Sequence, residues 1–303
     1  MKRFVALTAV MIAAAALAAP AIAQDFTGTL KKVKESGTIT IGHRDASIPF
    51  SYYDDKQQPI GYAMDICYRI VDAVKAELKM PNLKAALTPV TSSTRIPLMA
   101  NGTIDLECGS TTNNIERQKQ VSFGMTYFVV NHPYVAKKSS NLHTINDLKG
   151  KTVVSTSGTT NIKELTEINA SRNLGMNIIA AKDHAESFLM VETGRAAAFF
   201  MDDILLYSLV ATSKNPAEFA ISTESVAVEP YSLMLRRDDP QFKKVVDDTM
   251  TKLYKSGDIN AIYGKWFLKS IPPKNVNLNV PVSDALKKVF ANPTDSGDPK
   301  VYQ

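Results

Sequence analysis

Twice along this chain, short apolar strand-like runs alternate with amphipathic helical stretches across brief loops, and that alternation leaves few folds open. In the first series residues 38–42, 84–90 and 104–108 have strand character, while 62–78, 93–100 and 114–121 carry apolar positions at helical spacing. In the second series the strands are 151–155, 177–180 and 197–201, and the helices 161–170, 184–192 and 203–211. A helix between two strands carries the chain back over the sheet, so each series implies a mostly parallel sheet flanked by helices.

Two extended stretches, 127–137 and 226–237, follow the two series and read as linking strands. Helices are expected at 240–256 and 259–267, ended by Pro272-Pro273, with a further short helix near 283–290. If the late helices return to the first unit, the chain crosses between lobes twice, which makes a hinge around a pocket that can close. The spans expected are 24–130 with 232–303 for lobe one, and 131–231 for lobe two.

Residues 1–23 have the pattern of an export signal: Lys2 and Arg3, an uncharged apolar run over 4–19, and small residues at Ala21 and Ala23. Cleavage is expected before Gln24. An uncleaved anchor is the alternative, because 4–23 is about long enough to span a bilayer, but Pro20 weighs against it. Removing Lys2 and Arg3 takes the net charge from +5 to +3, and the remaining basic residues are scattered, which speaks against a nucleic-acid partner. Cys67 and Cys108 are the only cysteines. In an oxidising compartment they either form a disulfide, worth about 4 kcal/mol by loop entropy, or remain two buried thiols.

Three polar segments fall at the carboxyl ends of strands, where open α/β sheets bind ligands. They are Gly109-Ser110-Thr111-Thr112-Asn113-Asn114-Ile115-Glu116-Arg117, Ser157-Gly158-Thr159-Thr160, and Phe199-Phe200-Met201-Asp202. The first two place hydroxyls and N–H groups at helix starts, which favour an anion, and Arg117 adds a bidentate donor for a carboxylate. Asp202 suits an ammonium, so together the segments describe a site for an α-amino acid. Against this, Asn113 and Glu116 fit a capping box, and Arg117 then lies on a solvated helix face. Of the two adjacent acids, Asp203 is assigned to the helix cap and Asp202 to the ligand. Phe50, Tyr52 and Tyr53 either wall the pocket or pack in the core.

Several further segments, in order along the whole exported chain, sharpen this reading: Gly42-His43-Arg44-Asp45, Ile48-Pro49-Phe50-Ser51-Tyr52, Glu107 through Gln120, Ala181-Lys182-Asp183-His184, Asp239-Pro240-Gln241-Phe242-Lys243-Lys244 and Ile271-Pro272-Pro273-Lys274-Asn275. With them the chain resembles the periplasmic glutamate/aspartate-binding proteins of polar amino-acid ABC importers, solute-binding protein family 3. The resemblance implies the two-lobed type II periplasmic-binding-protein fold. It implies that Thr112, Arg117 and Thr160 hold the ligand α-carboxylate, and that Ser110 and Asp202 hold its ammonium. Arg44, Ser92, Arg95 and His184 would take the side-chain carboxylate.

On this reading the ligand is L-glutamate or L-aspartate, the partner is a membrane permease with its ATPase, and the protein works as a monomer without cofactor or metal. Three guanidiniums against Asp202 give the pocket a positive excess suited to a ligand of net charge −1. The rival is an exported enzyme on the same scaffold, a cyclohexadienyl dehydratase-like lyase with Glu107 as its spare carboxyl. The lack of a nucleophile, metal or cofactor motif favours binding, and a receptor sensor module is disfavoured by the lack of a signalling segment after the lobes.

Overall fold

The computed structural model describes residues 25–303, so the expected leader, its cleavage point and the anchor alternative lie outside the described residues. The chain opens with α1 (Gly28–Ser36), a mostly polar helix that periodicity did not reveal, because only Leu30 and Val33 give it an apolar face. It is followed by β1 (Thr38–His43), α2 (Tyr62–Leu78), β2 (Lys84–Pro89), α3 (Arg95–Ala100) and β3 (Leu106–Cys108). In α2 the residues Met64, Cys67, Ile70, Val71, Val74 and Leu78 are buried, one stripe at helical spacing that packs on the sheet. β1 lies parallel to both β2 and β3, with Gly42 opposite Thr88 on one side and Glu107 on the other. A Cys67–Cys108 disulfide ties α2 to the end of β3, which settles the two readings in favour of the bridge.

Where a helix was expected over 114–121, only one turn forms, α4 (Ile115–Gln118). Its cap is Asn114, whose side chain accepts the Arg117 N–H at 2.8 Å, while Asn113 instead bonds Gln118. The Asn113–Glu116 capping box is therefore replaced by a cap one residue later. The chain then turns extended, with Val121, Phe123, Thr126, Tyr127, Phe128 and Val130 buried, giving β4 (Val121–Asn131). The linker expected over 127–137 thus begins earlier and breaks before β5 (Tyr134–Lys137), where Pro133 has no N–H for the ladder.

The second unit runs β6 (Thr152–Thr156), α5 (Thr160–Ser171), β7 (Asn177–Ala181), α6 (His184–Glu192), β8 (Ala198–Phe200), α7 (Asp203–Thr212) and β9 (Phe219–Ile221). The chain returns through β10 (Val228–Arg236) to α8 (Pro240–Ser256), α9 (Asp258–Phe267) and α10 (Asp284–Ala291). The first sheet has the order β2-β1-β3-β10-β4 and the second β7-β6-β8-β5-β9. In each, three parallel strands at one side of the sheet come from the alternating series; the stretches read as linkers supply β4, β10 and β5 as antiparallel strands, and β9, which the sequence reading did not anticipate, completes the second sheet.

β4 and β10 lie side by side from Val121 opposite Arg236 to Asn131 opposite Val228, so the two passages between lobes are adjacent. Phe50 packs there against Tyr62, Tyr127, Phe128, Tyr231 and Phe267, with ring centroids 5.0–6.2 Å apart. Phe50 is thus a core residue, as is Tyr52 against Trp266, while Tyr53 meets His43 edge-on. Among the described residues no helix is long and apolar enough to cross a membrane.

Candidate functional site

β3 delivers the chain into the Gly109–Asn114 loop at the mouth of the first sheet. Arg95, first residue of α3 and buried, sends Nη1 to the Ser110 carbonyl at 2.9 Å and to the Thr111 hydroxyl. Thr111 in turn donates to Glu107 Oε2 at 2.6 Å, so Glu107 anchors Arg95 through a hydroxyl. Ser110 Oγ points back to Ser47 Oγ at 3.2 Å. From α4, Arg117 donates Nη1 to the Thr112 carbonyl at 2.9 Å and Nη2 to the Gly158 carbonyl at 3.2 Å, linking the first lobe to the second.

Arg44, just past β1, donates Nη2 to Ser92 Oγ at 2.8 Å and lies 3.4 Å from His184 Nε2. An arginine can only donate, so Nε2 is the accepting nitrogen and the ring proton sits on Nδ1, 2.9 Å from Thr156 Oγ1. Thr156 continues to Ser187 Oγ at 3.0 Å, and Ser187 to the Asp183 carbonyl at 2.8 Å. Burial, with Arg44 and Arg95 adding repulsion, holds His184 well below the usual imidazole range. Burial and Arg95 also bring Arg44 and Arg117 down to about 10, against the pull of Glu107. Arg95 therefore acts on Arg44, Arg117 and His184 alike, and the Arg44–His184 and Arg117–Gly158 contacts set this cluster in the cleft between the lobes.

Across the cleft, Thr159 caps α5 by accepting the Ile162 N–H, leaving Thr160 at its first turn. Gly158 before them has φ +76°, and a Cβ there would stand 2.5 Å from Ser93 Cα and 2.8 Å from the Ser92 carbonyl carbon. The glycine is what lets the second lobe touch the first. At α7 the cap position belongs to Asp202 rather than Asp203, yet the Asp202 side chain does not cap. Asp203 Oδ1 accepts the Ile204 N–H instead, and Asp202 faces the cleft, where it receives Asn161 Nδ2 at 2.8 Å and the Tyr231 hydroxyl.

The structure thus gathers Arg44, Ser92 and His184 in one bonded group, Arg95 and Ser110 in a second, and Thr112, Arg117, Thr160 and Asp202 around a third. Sequence reading missed what surrounds this third group. His132 Nε2 stands 3.0 Å from Asp202 Oδ1 and 3.2 Å from Glu229 Oε2, and its Nδ1 is 2.6 Å from Glu164 Oε2. Burial alone pushes the imidazole down, but the three carboxylates more than offset it, so its pKa lies well above 6.5 and the ring is charged. Burial likewise raises Glu229, and His132, Thr160 and Thr112 outweigh it, holding the carboxyl below its ordinary value.

The positive excess expected from three guanidiniums and one Asp202 is therefore corrected. Three guanidiniums and the His132 imidazolium face Asp202, Glu107 and Glu229, an excess of one, which Glu164 behind His132 cancels. The available signal was a histidine and a glutamate, His132 and Glu229, within two mostly apolar linking stretches.

Comparison with known proteins follows the same lines. Residues 39–269 match the sequence profile of the bacterial extracellular solute-binding proteins, family 3. The chain is 54% identical over 285 residues to an L-glutamate/L-aspartate-binding protein of Pseudomonas aeruginosa, covering 94% of each chain. It is 48% identical over 267 residues to a glutamate/aspartate import solute-binding protein of Escherichia coli, covering 88% of each. Among solved structures it is similar to the P235GK mutant of ArgBP from T. maritima, with TM-score 0.70 and 26% identity, covering 79% of this chain and 99% of that one. Its two-lobed α/β architecture is the type II periplasmic-binding-protein fold, and the chain belongs to the bacterial extracellular solute-binding proteins of family 3.

Proposed function

We propose that this protein is a periplasmic solute-binding protein that captures L-glutamate or L-aspartate between its lobes and delivers it to the permease of an ABC importer, whose ATPase supplies the energy. The observation that carries the reading is the pair of buried guanidiniums: Arg44 Nη1 and Arg95 Nε have no hydrogen-bond partner among the described residues. Buried cationic donors left unmatched are costly, and an anionic side chain beside Ser92 and His184 would satisfy them. Arg117 with residues 112 and 160 then takes the α-carboxylate, and Ser110 with Asp202 the ammonium. Closure brings Thr160, His184 and Asp202 onto a ligand first held by Arg44, Arg95, Ser110, Thr112 and Arg117. The names of the two relatives above support the ligand class. Against an enzyme, Glu107 is tied to Arg95 through Thr111 by Oε2, although its buried Oε1 has no hydrogen-bond partner among the described residues.

Isothermal titration of the ligand-stripped protein tests this. L-Glutamate and L-aspartate should bind one to one, and L-glutamine should bind more weakly by at least about 1.5–3 kcal/mol, the strength of one charge-assisted hydrogen bond. Arg44→Ala should narrow the gap between glutamate and glutamine. Binding of neither acid, or loss of glutamate over time, would sink the reading.

A further inference from the structure

Glu229 and His132 stand on the two strands by which the chain passes between lobes, Glu229 near the start of β10 and His132 just after β4. One oxygen, Glu229 Oε2, accepts the hydroxyl of Thr112 from the first lobe at 2.8 Å and that of Thr160 from the second at 2.7 Å. The two hydroxyls are themselves 3.4 Å apart. His132, 1% exposed, keeps Nε2 between Glu229 and Asp202, in line with neither. The ligating-type atoms of His132, Asp202 and Glu229 all lie within 4.8 Å of one another. Two carboxylates that close repel unless a cation sits between them, and the ring is that cation.

We propose that Glu229 is a closure latch: a carboxylate on the hinge that binds a threonine from each lobe only when the lobes meet, aimed by His132 and touching no part of the ligand. The inference rests on the proposed site, in which Thr112 and Thr160 flank the α-carboxylate. It also revises their roles. A threonine hydroxyl has one proton, and here both protons go to Glu229. The α-carboxylate is then held by Arg117 and by backbone N–H groups of Thr112 and Thr160, the latter unpaired within its helix because it lies in the first turn.

A latch engaged after encounter acts on escape and not on capture. In stopped-flow measurements at 0.5 M salt, where steering of the anion is screened, Glu229→Gln and His132→Gln should release L-glutamate about tenfold faster or more, matching the loss of a hydrogen bond to a charged group. Association should change by about twofold at most. Unchanged or slower release from Glu229→Gln would mean that Glu229 competes with the ligand for the threonines, and equal losses in both rates would mean general damage; either overturns the latch.

A second arm needs no amino acid. The His132 imidazole is faced by Glu164 of α5, Asp202 before α7 and Glu229 of β10, with the Arg117 guanidinium nearby. Its NMR titration, assigned by difference with His132→Gln, should move toward 6.5 in Glu229→Gln, and an unmoved midpoint overturns the pairing. Failure of the wild type to bind either acidic amino acid would instead sink the ligand assignment and leave this arm to decide the pairing.

Discussion

His184 and His132 occupy one cleft with opposite electrostatic settings, and the difference lies wholly in their neighbours. His184 is buried beside two guanidiniums and is neutral, whereas His132 is buried among three carboxylates and is charged. Each makes stability depend on pH in its own window. Below 6.5 the unfolded chain protonates a histidine that the folded His184 leaves bare, so stability falls as pH drops from 6.5 toward the lowered pKa. For His132 the folded state keeps the extra proton, so its contribution is full below 6.5 and is lost as pH rises through the raised pKa. Urea unfolding of the ligand-free protein between about pH 5 and 8.5 should therefore show His184→Gln flattening the acid side and His132→Gln the alkaline side. An unchanged profile in both variants would refute these charge states. Neither setting is visible in the sequence, because Arg95 reaches His184, and Glu164 and Glu229 reach His132, only through the fold.

Among the elements, the junctions matter more than the strands themselves. Gly158 combines a positive φ with a backbone approach to Ser92 and Ser93 that no side chain tolerates. Gly158→Ala should cost about 1–2 kcal/mol of stability from left-handed strain alone. Because the added methyl also strikes the opposite lobe's backbone, affinity for L-glutamate should fall about tenfold or more beyond that, as one lost charge-assisted hydrogen bond would suffice to produce. Unfolding and titration of the same variant separate the two effects, and unimpaired affinity would mean that closure does not need this contact. The single turn α4 makes a related point. Asn114 caps it so that Arg117, three residues on, is turned back onto the Thr112 carbonyl, while the next residues leave for the sheet. Helical spacing over 114–121 concealed this, since Val121 and Ile115 are apolar for different reasons, one buried in a strand and the other exposed on the turn.

For the molecule as a whole, β4 and β10 run adjacent and the lobes meet across Arg117, Gly158, Thr112 and Thr160. A ligand that binds only this closed arrangement stabilises it by mass action, about 2.7 kcal/mol at a free concentration one hundred times Kd. L-Glutamate should accordingly raise Tm progressively with concentration in the wild type, and much less in Gly158→Ala. A Tm indifferent to glutamate would argue that it does not bind the folded protein.

The sequence by itself determined the two alternating units, because periodic burial is local and each strand or helix declares its own apolar face. It also carried the nine candidate site residues, Asp202 and Arg117 from the chemistry of strand ends and helix starts, Arg44, Ser92, Arg95 and His184 through family resemblance. Only the tertiary structure decided that Cys67 and Cys108 join, that the linking stretches become antiparallel strands, and that Asp202, Glu107, Glu229 and Glu164 balance the guanidiniums and the His132 imidazolium. Those outcomes depend on groups distant along the chain: Glu229 meets Thr112 and Thr160 across 117 and 69 residues. Charge compensation at such separations is set by where folding brings the groups, and no local pattern encodes it.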